Sequence, residues 1–154
     1  MDLAPDVTQP YVFLGRMMDH VSDRLPEVTE RFARFEARNP DSYLGPLLHA
    51  QGIIAQLPAT GFPPEAETAL GLVRKSVAKK DDVAEAHFAM GLLLDRKKEY
   101  REAAAHLERS IQLNPTDSAV HFRLARVYER LGRKDDAERE RRLHEKLSEE
   151  EKAR

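Results

Sequence analysis

The chain has no cysteine, so disulfides and thiolate metal sites are excluded outright. No run of about 18 apolar residues occurs, which excludes a transmembrane helix and predicts no membrane insertion. Nor is there a basic excess: 25 Lys and Arg stand against 27 Asp and Glu, for a formal net charge of -2. Nucleic-acid binders carry a clustered positive balance, so no nucleic-acid partner is expected. A Gly-rich phosphate loop, a nucleophile elbow and a metalloprotease helix are all missing. The six histidines include no pair at the four-residue spacing that lets one helix face grip a metal. Adjacent acids at Asp81-Asp82 and Asp135-Asp136 read as turn and helix-start residues. The expectation is a protein that is not an enzyme and needs no metal or cofactor. The opening Met1-Asp2-Leu3-Ala4-Pro5-Asp6 lacks the basic start and apolar stretch of a signal peptide. A soluble, cytoplasmic protein is the expectation, which an export signal upstream in a longer parent would reverse.

What is present is a period. His87 and Phe88 recur as His121 and Phe122, Arg96 as Arg130 and Ala103 as Ala137, each pair 34 residues apart. That spacing is a signature of a helix-turn-helix repeat, in which each unit buries its apolar face only by stacking on a neighbour. An apolar fraction of 41% suffices for a core spread along such a stack, and a charged fraction of 34% suits amphipathic helices with one wet face.

The stretch from Ala84 to Ser118 resembles a tetratricopeptide repeat. Met90-Gly91 stands where that family has Leu-Gly, Leu94 at its Tyr position and Tyr100 at the opening of the second helix, while Ala103, Leu107, Ser110 and Pro115 fall on further signature positions. It departs at His87, where the family often has Trp, and at Lys98, where it usually has the turn glycine. The next unit restores that glycine as Gly132 and keeps Leu124, Ala125, Tyr128 and Ala137, but places Arg141 where an apolar residue is expected.

Two earlier units follow by spacing. Asn39-Pro40 and Asn114-Pro115 lie 75 residues apart, which is two repeats and seven residues more. Ala69, Ser76 and Val77 align at 34 with Ala103, Ser110 and Ile111, so the extra residues precede Ala69. Pro58-Ala59-Thr60-Gly61-Phe62-Pro63-Pro64 has a helix-breaking composition and reads as an enlarged loop within the second repeat. Four repeats result, at about 8–42, 43–83, 84–117 and 118–151 of a single domain, all in the first-helix and second-helix order of the family.

First helices are expected near Thr8 to Ser22, Ser42 to Gln56, Val83 to Lys97 and Ser118 to Leu131, and second helices near Leu25 to Arg38, Pro64 to Lys79, Tyr100 to Leu113 and Lys134 to Ser148. Ser42 and Ser118 are candidate acceptors for the unpaired amides of a helix start, and Pro64 suits a first turn. Small residues Gly15, Ala50, Gly91 and Ala125, opposite Ala69, Ala103 and Ala137, let paired helices approach closely. The last helix mixes acids and bases from Glu138 onward, with Glu138 and Arg142 spaced to meet and only Ala137, Leu143 and Leu147 as inward contacts. It reads as a polar cap. The first repeat, with Tyr11, Val12, Phe13, Leu14, Met17 and Met18 clustered, has no such cap. It predicts self-association through that repeat or an array that continues upstream.

The resemblance implies an all-α fold, a right-handed superhelical α-solenoid of stacked helix-turn-helix repeats, with a concave groove that binds a peptide segment of a partner protein. By that resemblance, groove residues are Val12, Phe13 and Arg16 in the first repeat, Leu47, Leu48 and Gln51 in the second, Phe88, Ala89 and Leu92 in the third, and Phe122, Arg123 and Arg126 in the fourth. An apolar floor with a basic end suits a segment that joins a bulky apolar residue to an acidic group or a free C-terminus. The carboxylate clamp by which some members hold chaperone C-termini is missing, since its places carry Val12, Arg16, Leu48, Glu85 and Ala89. An accessory role in a larger enzyme or transport assembly is the alternative to a freestanding protein-protein interaction scaffold.

Overall fold

A computed structural model describes residues 25–154, in which seven helices account for the regular structure and no strand occurs. They are α1 (Leu25–Arg38), α2 (Leu44–Ala55), α3 (Pro64–Lys79), α4 (Ala84–Arg96), α5 (Tyr100–Leu113), α6 (Ser118–Arg130) and α7 (Lys134–Lys152). The proposed first helix, with Val12, Phe13, Arg16 and the small residue Gly15, lies outside the described residues. Instead of the single compact domain expected, two compact units divide between Asp81 and Asp82.

In the first unit α2 packs on both α1 and α3. Its sequence, LGPLLHAQGIIA, is apolar nearly all round, the pattern of a helix covered on several sides. Phe32 and Phe35 of α1 meet Leu44 and Leu48 of α2 in one core cluster. The α1/α2 approach is close enough that a Cβ at Gly52 would sit 2.5 Å from the Thr29 hydroxyl oxygen. Asn39 ends α1, its amide reaching the Phe35 carbonyl at 3.0 Å, because the following Pro40 disfavours helical geometry at the residue before it. Residues 56–63 then form the loop expected from the spacing, and Pro64 opens α3 at its first position.

In the second unit α4 pairs with α5 and α6 with α7, while α6 also packs on α5. Met90, Leu93, Leu94, Leu107, Leu124 and Val127 fill the core and are at most 1% exposed. Gly91 explains the tight α4/α5 crossing, since a Cβ there would lie 2.5 Å from Leu107 side-chain carbons. Ala103, Ala125 and Ala137 are likewise fully buried. The turns between paired helices repeat atom for atom. Glu99 N–H donates to the Leu94 carbonyl and Arg133 N–H to the Tyr128 carbonyl, each at 2.9 Å, which is the six-to-one bond of a helix end that needs a left-handed residue. Gly132 supplies it at φ 76°, and Lys98 is held there at φ 67°.

One further side-chain bond recurs in every hairpin whose two helices are both described after residue 42. Ser76 Oγ donates to the Tyr43 carbonyl at 2.8 Å, Ser110 Oγ to the Ala84 carbonyl at 2.9 Å, and His144 Nδ1 to the Ser118 carbonyl at 2.9 Å. Each ties a second helix to the start of its first helix. The partners are 26 residues apart in the last two hairpins and 33 in the earlier one, so the seven extra residues fall between Tyr43 and Ser76 as the Asn-Pro spacing requires.

Two local expectations need correction. Ser42 does accept the Leu44 amide, at 3.2 Å, but α6 is capped by Asp117, which accepts the Ala119 amide at 3.1 Å, and the Ser118 hydroxyl turns to Glu151 instead. A carboxylate one residue earlier reaches the orphan amide with the charge that the helix dipole favours. The final helix runs to Lys152 rather than Ser148, and Leu143 is 37% exposed rather than inward. The expected Glu138 and Arg142 pair forms, 2.5 Å apart.

Candidate interaction surface on the first helices

Burial along α4 and α6 defines one open stripe on each. In α4, Ala86, His87, Ala89, Met90, Gly91, Leu93 and Leu94 are buried, while Phe88 and Leu92 are half-buried. In α6, Val120, His121, Leu124, Ala125, Val127 and Tyr128 are buried, which leaves Phe122, Arg123, Arg126, Glu129 and Arg130 on the other side. Phe88 and Phe122 occupy the same repeat position, as do Leu92 and Arg126. Three- and four-residue steps place each set on one helical face. Phe122 is 42% exposed, the most open large apolar residue among those described. Its ring lies 5.2 Å from the His144 ring and 5.9 Å from the Arg126 guanidinium, centre to centre, so His144 supports it from α7 and Arg126 crosses its face.

The histidines that mark the period point inward. His87 is 6% and His121 3% exposed. His87 Nδ1 meets His106 Nδ1 at 3.0 Å, with the rings stacked. In the equivalent place His121 Nδ1 meets the Glu140 carboxylate, while its Nε2 meets the Pro115 carbonyl at 2.9 Å. These contacts lock second helices against first helices. Among the described residues no three His, Asp or Glu side chains gather as a metal site would require.

Two polar junctions tie neighbouring helices together, one in each unit. Tyr128 Oη donates to Glu108 at 2.6 Å, joining α6 to α5, and the Arg133 guanidinium covers the Tyr128 ring at 4.3 Å. Burial, then the hydrogen bond to Glu108 and its negative charge, push the Tyr128 hydroxyl well above its usual range, so it stays a neutral donor. In the first unit, Glu36 Oε2 meets His49 at 2.8 Å and Glu36 Oε1 meets Lys75 at 2.9 Å. Burial alone would raise the Glu36 carboxyl, but the Lys75 and His49 hydrogen bonds and charges outweigh it and hold the group below its ordinary value.

The family profile described as Tetratricopeptide repeat matches residues 93–140, the span that contains α5, α6 and the turns on either side. This chain contains tetratricopeptide repeats. Among solved structures, one titled as the crystal structure of MamA superposes with a TM-score of 0.72 at 18% identity, over 97% of this chain and 83% of that one. TTC0263, a thermophilic tetratricopeptide-repeat protein of Thermus thermophilus, gives a TM-score of 0.70 at 20% identity, over 88% of this chain and 71% of the other. These likenesses give the α-solenoid fold class of the tetratricopeptide repeats. A comparison with curated proteins finds no match. No described helix is long and apolar enough to cross a membrane.

In tetratricopeptide terms, Phe88, Leu92, Phe122, Arg123 and Arg126 lie on exposed or half-exposed first-helix positions, and the structure brings Phe122 and Arg126 into contact. Gln51 of α2 is half-buried. Leu47 and Leu48 are a correction: at 3% and 2% exposed they belong to the interior, and with Ala89 at 4% they offer no surface to a ligand. The all-round apolar character of α2 is the signal that marks Leu47 and Leu48 as interior, and it outweighs their repeat position. Val12, Phe13 and Arg16 lie outside the described residues. Sequence reasoning missed Arg130, which continues the α6 stripe one turn beyond Arg126.

Proposed function

We propose that the chain is a non-catalytic scaffold that binds a peptide segment of a partner protein along the open faces of its first helices. Tetratricopeptide folds serve as protein-protein interaction scaffolds in general, and the observation that favours this surface is the exposure of the Phe122 ring beside Arg126 on the open side of α6. The part of an aromatic ring that its own repeat leaves uncovered can anchor an apolar side chain of a ligand. Phe88 and Leu92 extend the apolar contact on α4, and Arg123 and Arg126 add donors for acidic or terminal carboxylate groups.

A library of random peptides of about twelve residues, a length that suits groove-bound segments, selected on the immobilised chain tests this reading. Selected peptides should bind Phe122→Ala and Phe88→Ala about tenfold more weakly than wild type and bind Arg101→Ala unchanged. Arg101 is an exposed residue of α5, a second helix, and so is not part of the first-helix stripe. Selected peptides that ignore both phenylalanines would place the partner site elsewhere.

A further inference from the structure

The arginines of α6 and α7 differ in one respect. On and before α7, Arg133, Arg139, Arg141 and Arg142 each pair with an acid, respectively Asp136, Asp136, Glu129 and Glu138. On α6, Arg123, Arg126 and Arg130 have no acidic partner among the described residues. The one carboxylate of α6 itself, Glu129, is engaged by Arg141. Three cations one turn apart therefore line a single open face next to an exposed phenyl ring, with a mutual repulsion that ion pairing elsewhere in the hairpin avoids.

We propose that Arg123, Arg126 and Arg130, with Phe122, dock a carboxylate-rich segment of a partner protein that carries an apolar residue beside its acids. This rests on the peptide-binding reading above and specifies its ligand. Charge complementarity selects the occupant, since the stripe carries three unopposed positive charges in a chain of net charge -2. Spacing selects among acidic ligands. Arg123 to Arg130 spans about 10 Å along the helix, at about 1.5 Å per residue. A single terminal carboxylate reaches one end of that span. Two or three side-chain carboxylates on one edge of an extended segment recur every ~6.7 Å and cover it. Guanidinium forks bind such carboxylates through paired hydrogen bonds. The apolar residue of the ligand then meets Phe122.

Fluorescence anisotropy on the full chain decides the matter with two labelled, C-terminally amidated peptides of about twelve residues. One carries three alternating Glu residues beside a Phe, and its twin has Gln in place of each Glu. The acidic peptide should bind about tenfold more tightly at low salt, a preference that fades as sodium chloride rises from about 50 mM to about 500 mM. The triple variant Arg123→Gln, Arg126→Gln, Arg130→Gln should lose the preference while its circular dichroism and melting stay those of a folded chain. Phe122→Ala should weaken both peptides alike. Equal binding of the twins, sensitive to Phe122→Ala, would overturn the acidic specificity and leave the peptide-binding reading standing. Preference retained by the triple variant, or no binding of the acidic peptide, would overturn the proposal. So would sedimentation showing wild type self-associating and the triple variant monomeric, because the arginines would then meet a second copy.

Discussion

Ser110 Oγ donates a 2.9 Å hydrogen bond to the carbonyl oxygen of Ala84, and so fixes the last turn of α5 against the first turn of α4. Ser110 is 1% exposed, so no water can replace the hydroxyl. Ser110→Ala should cost about 1 kcal/mol, the net worth of a buried neutral hydrogen bond. Urea denaturation with an unchanged slope and a lowered midpoint would show it. The exposed neighbour Gln112 replaced by Ala should leave the midpoint in place.

Lys98 is the residue that the turn would exchange for glycine. At φ 67° its Cβ crowds the backbone, a strain of about 1 kcal/mol that glycine does not feel. Lys98→Gly should raise stability by about 0.5 kcal/mol, once the extra freedom of glycine in the unfolded chain is subtracted. In the equivalent turn Gly132→Ala should lower stability by about 1 kcal/mol. Calorimetric melting of the two variants should move in opposite directions.

Glu36 makes the first unit sensitive to acid. Its carboxyl is held below the ordinary value of 4.5 by Lys75 and His49 against the opposing effect of burial. A folded value below the unfolded one means that the stabilisation is complete above about pH 4.5 and is lost as pH falls through the lower folded value. Glu36→Gln should remove that component of the acid dependence and lower stability at neutral pH. Parallel stability curves of wild type and Glu36→Gln down to acidic pH would contradict it.

Hydrogen exchange should be slowest between residues 84 and 131. There Leu93, Leu94, Leu107, Leu124 and Val127 are almost wholly buried, and α5 has a packed helix on each side, α4 and α6. Helix α7 buries only Ala137 completely, so its amides should exchange early by local opening. Mass spectrometry of exchanged peptides reads both, and protection that peaks in α7 would contradict the ranking.

Local physics made much of this legible beforehand. The bounds of α1, α3 and α5 agree with the expected ones because proline entries and Asn-Pro exits act within a few residues of chain. The 34-residue period identified His87 and His121 as equivalent positions, and the Asn-Pro spacing located the seven-residue insertion that the Ser76 and Ser110 hydrogen bonds mark. The cap of α6 was misassigned to Ser118 because Asp117 and Ser118 are both good caps, and the choice rests on one residue of backbone geometry.

By itself the sequence determined the helical repeats, their turns and their period, since those depend on residues near one another in the chain. Which first-helix residues remain open was a tertiary decision. Leu48 and Phe122 are both apolar residues on first helices, yet Leu48 is 2% exposed and Phe122 42%. The difference lies in what packs against them: α2 is enclosed by α1 and α3, whereas the Phe122 ring on the outer face of α6 rests against the His144 ring and the Arg126 guanidinium. Likewise, whether an arginine is spent on an internal ion pair, as Arg141 is with Glu129, or has no acidic partner among the described residues, as with Arg126, depends on distances between helices that no local pattern encodes.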